Sequence, residues 1–346
     1  MTEAKSIHAT RLAAIRAHLE QAGLDALVLN AGPSLRYFSG MDFHLMERPT
    51  VMYIKAGRGA TFVLPDFEKA KLEALDYEFR MFTYREDPAQ WNKSFSAASE
   101  YLELAGGQVG VEDTRLRFLE LSYLQAGALQ AKFVSGLELI AKLRERKGPE
   151  EVELMRRAVQ VAEQALVNTL EAFEVGQTEQ EIAARLVQEL LTLGSLPELP
   201  FQPIVASGPN SANPHAGTSG RQVQAGELLL IDWGANVDGY YSDITRTFAV
   251  SQIDDELHSI YRAVQAANQA GREQVAPGVS CGSVDQAARS AIEEAGFGEF
   301  FTHRTGHGLG LETHETPYIR AGNAMKLQPG MTFTVEPGIY LPSKGG

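Results

Sequence analysis

Cysteine is almost absent from this chain: Cys281 is the only one among 346 residues. An intrachain disulfide framework and a Cys-rich zinc site are thereby excluded. Long hydrophobic runs are missing too, and no stretch approaches the roughly eighteen apolar residues that a membrane helix needs. Positive charge is in deficit, with 31 Lys and Arg against 44 Asp and Glu, a formal net charge of −13. A nucleic-acid surface needs a basic footprint, so no nucleic-acid partner is expected. The opening MTEAKSIHATRLAAIRAHLE is charged and amphipathic and has no apolar signal core. A cytoplasmic location without membrane contact is the resulting expectation.

What is present is ordinary globular material. Hydrophobic residues make up 44% and charged residues 22%, enough for a core and far from a disordered composition. The length favours two domains over one. Leu12, Ile15 and Leu19 fall at helical spacing and predict a helix over 11–22 that stops at Gly23. Residues 26–29 read as a buried strand, and 51–54 and 60–64 as two more, parted by the turn signal Ala56-Gly57-Arg58-Gly59. A weaker strand signal lies at 109–111. This alternation implies a small mixed-sheet α/β domain over residues 1–143 and a second domain over 144–346. The boundary is the charged segment from Leu143 to Glu151, with Pro149 close to the start of a helix marked by Val152, Met155 and Val159. Thr178 and Glu181 fit a capping box opening a helix to residue 193. Further helices are expected over 254–274 and 283–295, and strands over 228–231, 240–250 and 331–335.

Polar residues of chemical interest gather in the second half. Asp232 ends an apolar strand, a costly placement unless something pairs with it. Asp243 follows, across the turn signal Asn236-Val237-Asp238-Gly239. A four-residue turn sets the two carboxylates directly opposite each other, and a two-residue Asp238-Gly239 loop sets them on a diagonal. Either register puts both on one face, roughly 4.5–8 Å apart. Facing carboxylates repel, so one is protonated or a cation sits between them. His307 lies in Gly306-His307-Gly308-Leu309-Gly310, whose glycines discourage a continuous helix and let backbone approach closely. The spacing to His314 does not fit the helical H-E-x-x-H zinc motif. Glu336, in Val335-Glu336-Pro337-Gly338, is another acid expected at a strand end, and Asn213-Pro214-His215 is a polar loop. Taken singly, each has an ordinary reading: a strand-end Asp caps a turn, and Cys281 is a small buried residue near a helix start. Together, hard oxygen donors and one imidazole suit Mn²⁺, Co²⁺, Fe²⁺ or Zn²⁺.

These stretches resemble the pita-bread metallopeptidases, the family of methionine aminopeptidase, aminopeptidase P and prolidase. The matching pieces, in the family's order, are Ile231-Asp232-Trp233-Gly234, Ser242-Asp243-Ile244-Thr245-Arg246-Thr247, Gly306-His307-Gly308-Leu309-Gly310, His314-Glu315 and Val335-Glu336-Pro337-Gly338. The N-terminal half resembles the small creatinase-type domain, which points to the prolidase and aminopeptidase P branch. The resemblance implies that Asp232, Asp243, His307 and Glu336 are metal ligands for two divalent ions (Mn, Co or Zn), with Asp243 bridging. A fifth ligand, a second bridging Glu in a V-R-x-E-D strand, does not occur before Gly346 and is expected to follow it. The implied activity is hydrolysis of the bond before proline, in Xaa-Pro dipeptides or at the N-terminus of short Xaa-Pro peptides, through a hydroxide bridging the metals. Glu336 would shuttle the proton, His215 and His314 would stabilise the oxyanion, and His303 would line the proline side. Arg320 stands two residues beyond the place where many prolidases hold the dipeptide carboxylate, and is the candidate for that role here, which leaves a strict dipeptide preference open. The family's architecture also implies a homodimer, with the loop at 30–48 (Tyr37, Phe38, His44, Arg48) closing over the pocket. Proline demands a dedicated enzyme because an Xaa-Pro bond lacks the N–H that strand-binding proteases use. The alternatives are a creatinase-type amidinohydrolase and a non-catalytic binding module on the same fold.

Overall fold

The computed structural model describes residues 6–346, which form two compact units, one ending at Arg144 and one running from Glu145 to Gly346. In the first unit, α1 (Ile7–Ala22) starts earlier than its apolar periodicity indicates, because the Ser6 hydroxyl caps it by accepting from the Ala9 amide at 3.2 Å. Gly23, at φ +67°, ends it as expected. Leu12, Ile15 and Leu19 are buried on its inner face. There follow β1 (Ala26–Asn30), α2 (Pro33–Ser39), β2 (Val51–Lys55), β3 (Ala60–Pro65) and a 3₁₀ turn at Asp66–Ala74. The unit closes with β4 (Phe79–Tyr84), α3 (Pro88–Tyr101), β5 (Gln108–Val111), α4 (Phe118–Gly127), β6 (Lys132–Ser135) and α5 (Leu137–Arg144). Its six strands form one sheet in the order β4-β3-β2-β1-β5-β6. Pairing is antiparallel around β2 and parallel elsewhere, so the sheet is mixed, as the alternation of elements implies.

The first part of the 30–48 segment departs from the expected loop, while 41–48, with His44 and Arg48, stays outside any helix or strand. Pro33 starts α2, and both Tyr37 and Phe38 are buried in the core of this unit, with only 6% and 0% exposure. Their aromatic bulk serves packing, a use that sequence alone does not separate from a lid.

The second unit opens with α6 (Pro149–Glu171), with Pro149 in its first turn, and α7 (Glu179–Thr192). Thr178 and Glu181 form the expected reciprocal cap, with Oγ1 accepting from the Glu181 amide at 3.2 Å and Oε2 accepting from the Thr178 amide at 2.7 Å. Next come β7 (Ile204–Ser207), a 3₁₀ turn at Gly208–Ala212, β8 (Glu227–Trp233), β9 (Asn236–Val237), β10 (Tyr240–Tyr241) and β11 (Ile244–Val250). Helices α8 (Asp255–Glu273) and α9 (Cys281–Glu294) then precede the short strands β12 (Gly306–Gly308) and β13 (Glu315–Ile319). Cys281 opens α9 and is fully buried, a small core residue. None of the described helices is long and apolar enough to cross a membrane.

Two expected strands change form. The 240–250 stretch is interrupted at Ser242 and Asp243, which stand outside the ladder. The 331–335 stretch makes only isolated bridges, Arg146 to Met331 and Gly308 to Phe333. Each of its pairs with the β12 region keeps only one of the two backbone bonds. The Thr334 amide donates to the His307 carbonyl at 2.9 Å, but the His307 amide donates to the Thr334 hydroxyl instead of its carbonyl. A side chain replaces half of the ladder, so no regular strand forms.

Candidate metal centre

The hairpin sets the first two acids. Tyr240 pairs with Val237 and Thr245 with Asp232, so the turn is the two-residue Asp238-Gly239 loop. This is the diagonal register: Asp243 lies across from Gly234, two places from Asp232 on the same face. The alternate side chains point the other way and hold the hairpin against α6. The Trp233 indole donates to the Ala162 carbonyl at 2.9 Å, and the Ser242 hydroxyl to the Ala158 carbonyl at 3.1 Å. The strand period of two thus fixes both acids by anchoring their neighbours.

His307 and Glu336 follow the same geometry in a less regular setting. The Glu336 amide donates to the Thr305 carbonyl at 2.8 Å, which puts Glu336 on a diagonal from His307. The glycines flanking His307 are forced by crowding. A Cβ on Gly306 would stand 2.0 Å from the Thr334 carbonyl oxygen, and one on Gly308 2.2 Å from that of Thr316.

The four groups meet. His307 Nε2 lies 3.0 Å from Glu336 Oε1 and 3.5 Å from Asp243 Oδ2. Asp232 Oδ1 accepts from the Thr245 hydroxyl at 3.0 Å, and Glu336 Oε1 from the Thr334 hydroxyl at 2.9 Å. As placed, the side chains bond one another. Among the described residues, no three His, Cys, Asp or Glu side chains already surround a common centre.

Their electrostatics shows what the arrangement lacks. Burial raises Asp232 to about 7, with the charge of Glu336 adding to it and the Thr245 hydrogen bond and His307 opposing. Burial raises Asp243 to about 8, with the charges of Asp232 and Glu336 adding to it. Burial would also lift Glu336, but its hydrogen bond and charge contact with His307 hold it below the usual range. Burial pulls His307 down, yet Glu336 and Asp243 carry it above the ordinary histidine value. Three carboxylates share one half-buried nest with one imidazole, and nothing else there neutralises them. Hard oxygen donors plus an imidazole in that condition fit a divalent cation.

Around this nest stand the other histidines. His314 packs edge-on against His307 with ring centroids 4.2 Å apart. Burial, then the charges of His307 and Arg304, depress it to about 4, so it is neutral near pH 7. His215 is exposed on its loop, yet its charge contributes to lowering both His303 and His314, which places it on their side of the nest. The Nδ1 of His303 faces the Arg304 carbonyl at 2.7 Å and so carries the proton; Nε2 then accepts from the Tyr340 hydroxyl at 2.9 Å. Both nitrogens are engaged, which leaves the ring face, flanked edge-on by Phe301 at 5.1 Å. Arg320 is not gathered in. It is exposed, and its guanidinium donates to the Ala321 carbonyl at 3.2 Å.

Thr245, Thr334 and Tyr340 contribute to the site but were not singled out in the sequence. The two threonines carried a signal, each being a hydroxyl two residues from an acid on the same strand face. Tyr340 carried none, because its role depends on the tautomer of His303.

Comparison with known proteins identifies the family. Residues 153–346 match the family described as metallopeptidase family M24, and residues 11–146 match the creatinase/prolidase N-terminal domain. The chain is 35% identical to a probable dipeptidase PepE of Mycobacterium tuberculosis, over 98% of this chain and 90% of that protein. It is 32% identical to an Xaa-Pro dipeptidase of Lactobacillus delbrueckii subsp. lactis, over 95% of this chain and 89% of that one. The crystal structure of a dipeptidase from Pyrococcus horikoshii OT3 superposes with a TM-score of 0.91 at 33% identity, covering 97% of this chain and 92% of the other. Family matches over both units, near-full-length similarity and a shared fold place this chain in metallopeptidase family M24, behind a creatinase/prolidase-type N-terminal domain.

Proposed function

We propose that the protein is a metal-dependent Xaa-Pro dipeptidase whose divalent cations, Mn²⁺, Co²⁺ or Zn²⁺, are held by Asp232, Asp243, His307 and Glu336. The observation that carries this reading is the gathering of Asp232, Asp243 and Glu336 around the single imidazole of His307, with the two aspartates raised to about 7 and about 8 by burial and by their neighbours' negative charge. A divalent cation supplies that charge, and when bound it activates water and polarises a carbonyl.

The chain's own groups do the rest. Glu336, oriented by the Thr334 hydroxyl on Oε1, would accept the proton of the attacking water and return it to the proline nitrogen as that nitrogen leaves. His314, neutral because of its low pKa, donates an N–H to the developing oxyanion, and His215 donates from the neighbouring loop. The face of His303, walled by Phe301 and Tyr340, offers a flat apolar surface to the proline ring. The protein acts as a homodimer in this reading, which sedimentation would check.

One observation favours a second substrate length. Arg320 is exposed and bonded to its own neighbour, so it is not dedicated to a dipeptide carboxylate. Hydrolysis of an Xaa-Pro dipeptide and of the matching Xaa-Pro-Xaa tripeptide by Mn²⁺-loaded protein separates the two. Faster release from the dipeptide supports the dipeptidase. Faster release from the tripeptide makes the enzyme an aminopeptidase, and release from neither rejects the proposal.

A further inference from the structure

The first residue of α7, Glu179, has a completely buried side chain whose hydrogen-bond partners are all neutral. Its Oε1 accepts from the Ser207 amide at 2.8 Å, the Ser207 hydroxyl at 2.9 Å and Asn210 Nδ2 at 3.2 Å. Its Oε2 accepts from Asn210 Nδ2 at 3.1 Å, the Ser219 amide at 3.1 Å and the Ser219 hydroxyl at 2.7 Å. Both oxygens act purely as acceptors. An amide of the same shape would turn an NH₂ group on to one of these donor clusters.

Ser207 and Ser219 are the two feet of the loop that carries His215. The backbone of α7 reinforces the far foot, with the Gln180 amide donating to the Ser219 carbonyl at 3.1 Å and the Glu179 amide to the Arg221 carbonyl at 3.0 Å. Arg221 braces the near foot, donating to the Ser207 hydroxyl at 2.6 Å while it pairs with Glu227. At the tip the bonds are local. The His215 amide donates to Asn213 Oδ1 at 3.0 Å, and the Ala216 amide to the Asn213 carbonyl at 3.0 Å. Its anchors lie below the tip, at the two feet and at Ser211 and Thr218, which bond Gly346 and the Pro203 and Val205 backbone.

We propose that Glu179 is a positioning residue, clamping both feet of the 207–219 loop and so fixing where His215 stands relative to the His307–His314 pair. The inference rests on the reading of His215 as a group that contacts substrate, and extends it to the residue that aims it. A reacting group displaced by about an ångström costs about a hundredfold in rate. A carboxylate buried beneath the loop removes that freedom without entering the pocket.

The test uses Glu179→Gln, His215→Ala and the double variant. Peptide-resolved hydrogen exchange on protein without added metal reads the clamp itself. In E179Q, amides at 207–219 exchange about tenfold faster or more, while those of α6 and α8 do not change. Ser219→Ala, which removes one donor, gives a smaller acceleration in the same peptides. Unchanged exchange at 207–219 overturns the clamp. Steady-state kinetics on an Xaa-Pro dipeptide reads its purpose. E179Q lowers kcat/KM about a hundredfold in the native background and less than about threefold in the H215A background, because positioning has no value once the positioned group is gone. An equal loss in both backgrounds assigns Glu179 to general stability and overturns positioning. Full activity in H215A removes the role given to His215, whereas the exchange result stands or falls on Glu179 alone.

Discussion

The two halves of the proposed metal centre are built to the same plan from unlike material. Asp232 and Asp243 sit on a diagonal of a hairpin whose strands pair through backbone alone from Glu227 to Trp233. His307 and Glu336 sit on a diagonal of a second antiparallel contact, between β12 and the 332–336 segment, where the Thr334 hydroxyl takes the place of a carbonyl. The first half is held by its turn and by Trp233 and Ser242 reaching α6. The second is held by two glycines that let three backbones crowd together. Diagonal placement is a geometric rule that a regular ladder supplies at no extra cost, and an irregular one achieves it only with particular small and hydroxyl-bearing residues.

The largest expected effect falls on both halves alike. Asp243→Asn or His307→Ala should lower kcat about a thousandfold or more, and chelation of the native protein should do the same. D243N should also raise the melting temperature of the metal-free protein by roughly 5 °C at pH 8, because it removes a buried carboxylate crowded by the charges of Asp232 and Glu336. Steady-state kinetics with bound-metal analysis checks the first effect, and thermal melts check the second. Native-like activity in D243N would break the equivalence of the halves.

The glycines separate them. Gly306→Ala drives a Cβ to 2.0 Å from the Thr334 carbonyl oxygen and should cost about 3 kcal/mol. Gly239→Ala, in the hairpin turn at φ +80°, should cost only about 1–2 kcal/mol. Urea denaturation ranks the two. The reverse order would mean that the hairpin turn, and not backbone crowding, is the fragile element.

The pH dependence sharpens the account of the acids. Asp232 and Asp243 have folded-state pKa values raised to about 7 and about 8 from 3.8. A raised acid favours folding fully below its unfolded pKa and loses that contribution as pH climbs to the folded value. His307, raised from 6.5, adds the same sign, while Glu336, lowered from 4.5, acts oppositely and only at the acid end. The metal-free protein should therefore lose stability between about pH 5 and pH 8, whereas added Mn²⁺ should stabilise it more as pH rises, with release of protons. A metal-free melting temperature that stays level or increases across that interval contradicts the assignment.

The threonines give the smallest effect. Thr334→Val strips a partner from both the His307 amide and Glu336 and should weaken Mn²⁺ binding about tenfold. Thr245→Val strips one bond from Asp232 and should weaken it less. Isothermal titration with Mn²⁺ compares them.

The same contrast governs what could be read from the sequence. The hairpin was legible because Asp238-Gly239 is a local turn signal that limits the register to two choices, both with the acids on one face. The partnership of His307 with Thr334 links residues far apart in sequence and uses a side chain where a ladder uses backbone. Apolar alternation at 331–335 therefore suggested a strand that does not form. Tyr37 and Phe38 show a related limit, since aromatic residues between two strands read equally as a lid or as core until α2 is seen. Glu179 was invisible for another reason. Its place in a capped helix start explains an acid there, and only the fold brings Ser207 and Ser219 to it.

The central claim is that these four side chains hold a divalent cation. Crystals soaked in Mn²⁺ and measured at the manganese absorption edge test it most directly. The account predicts anomalous density about 2.0–2.3 Å from donor atoms of Asp232, Asp243, His307 and Glu336, with the His307–Glu336 hydrogen bond broken in favour of the metal. Density confined to other residues, or none in the nest, would contradict it.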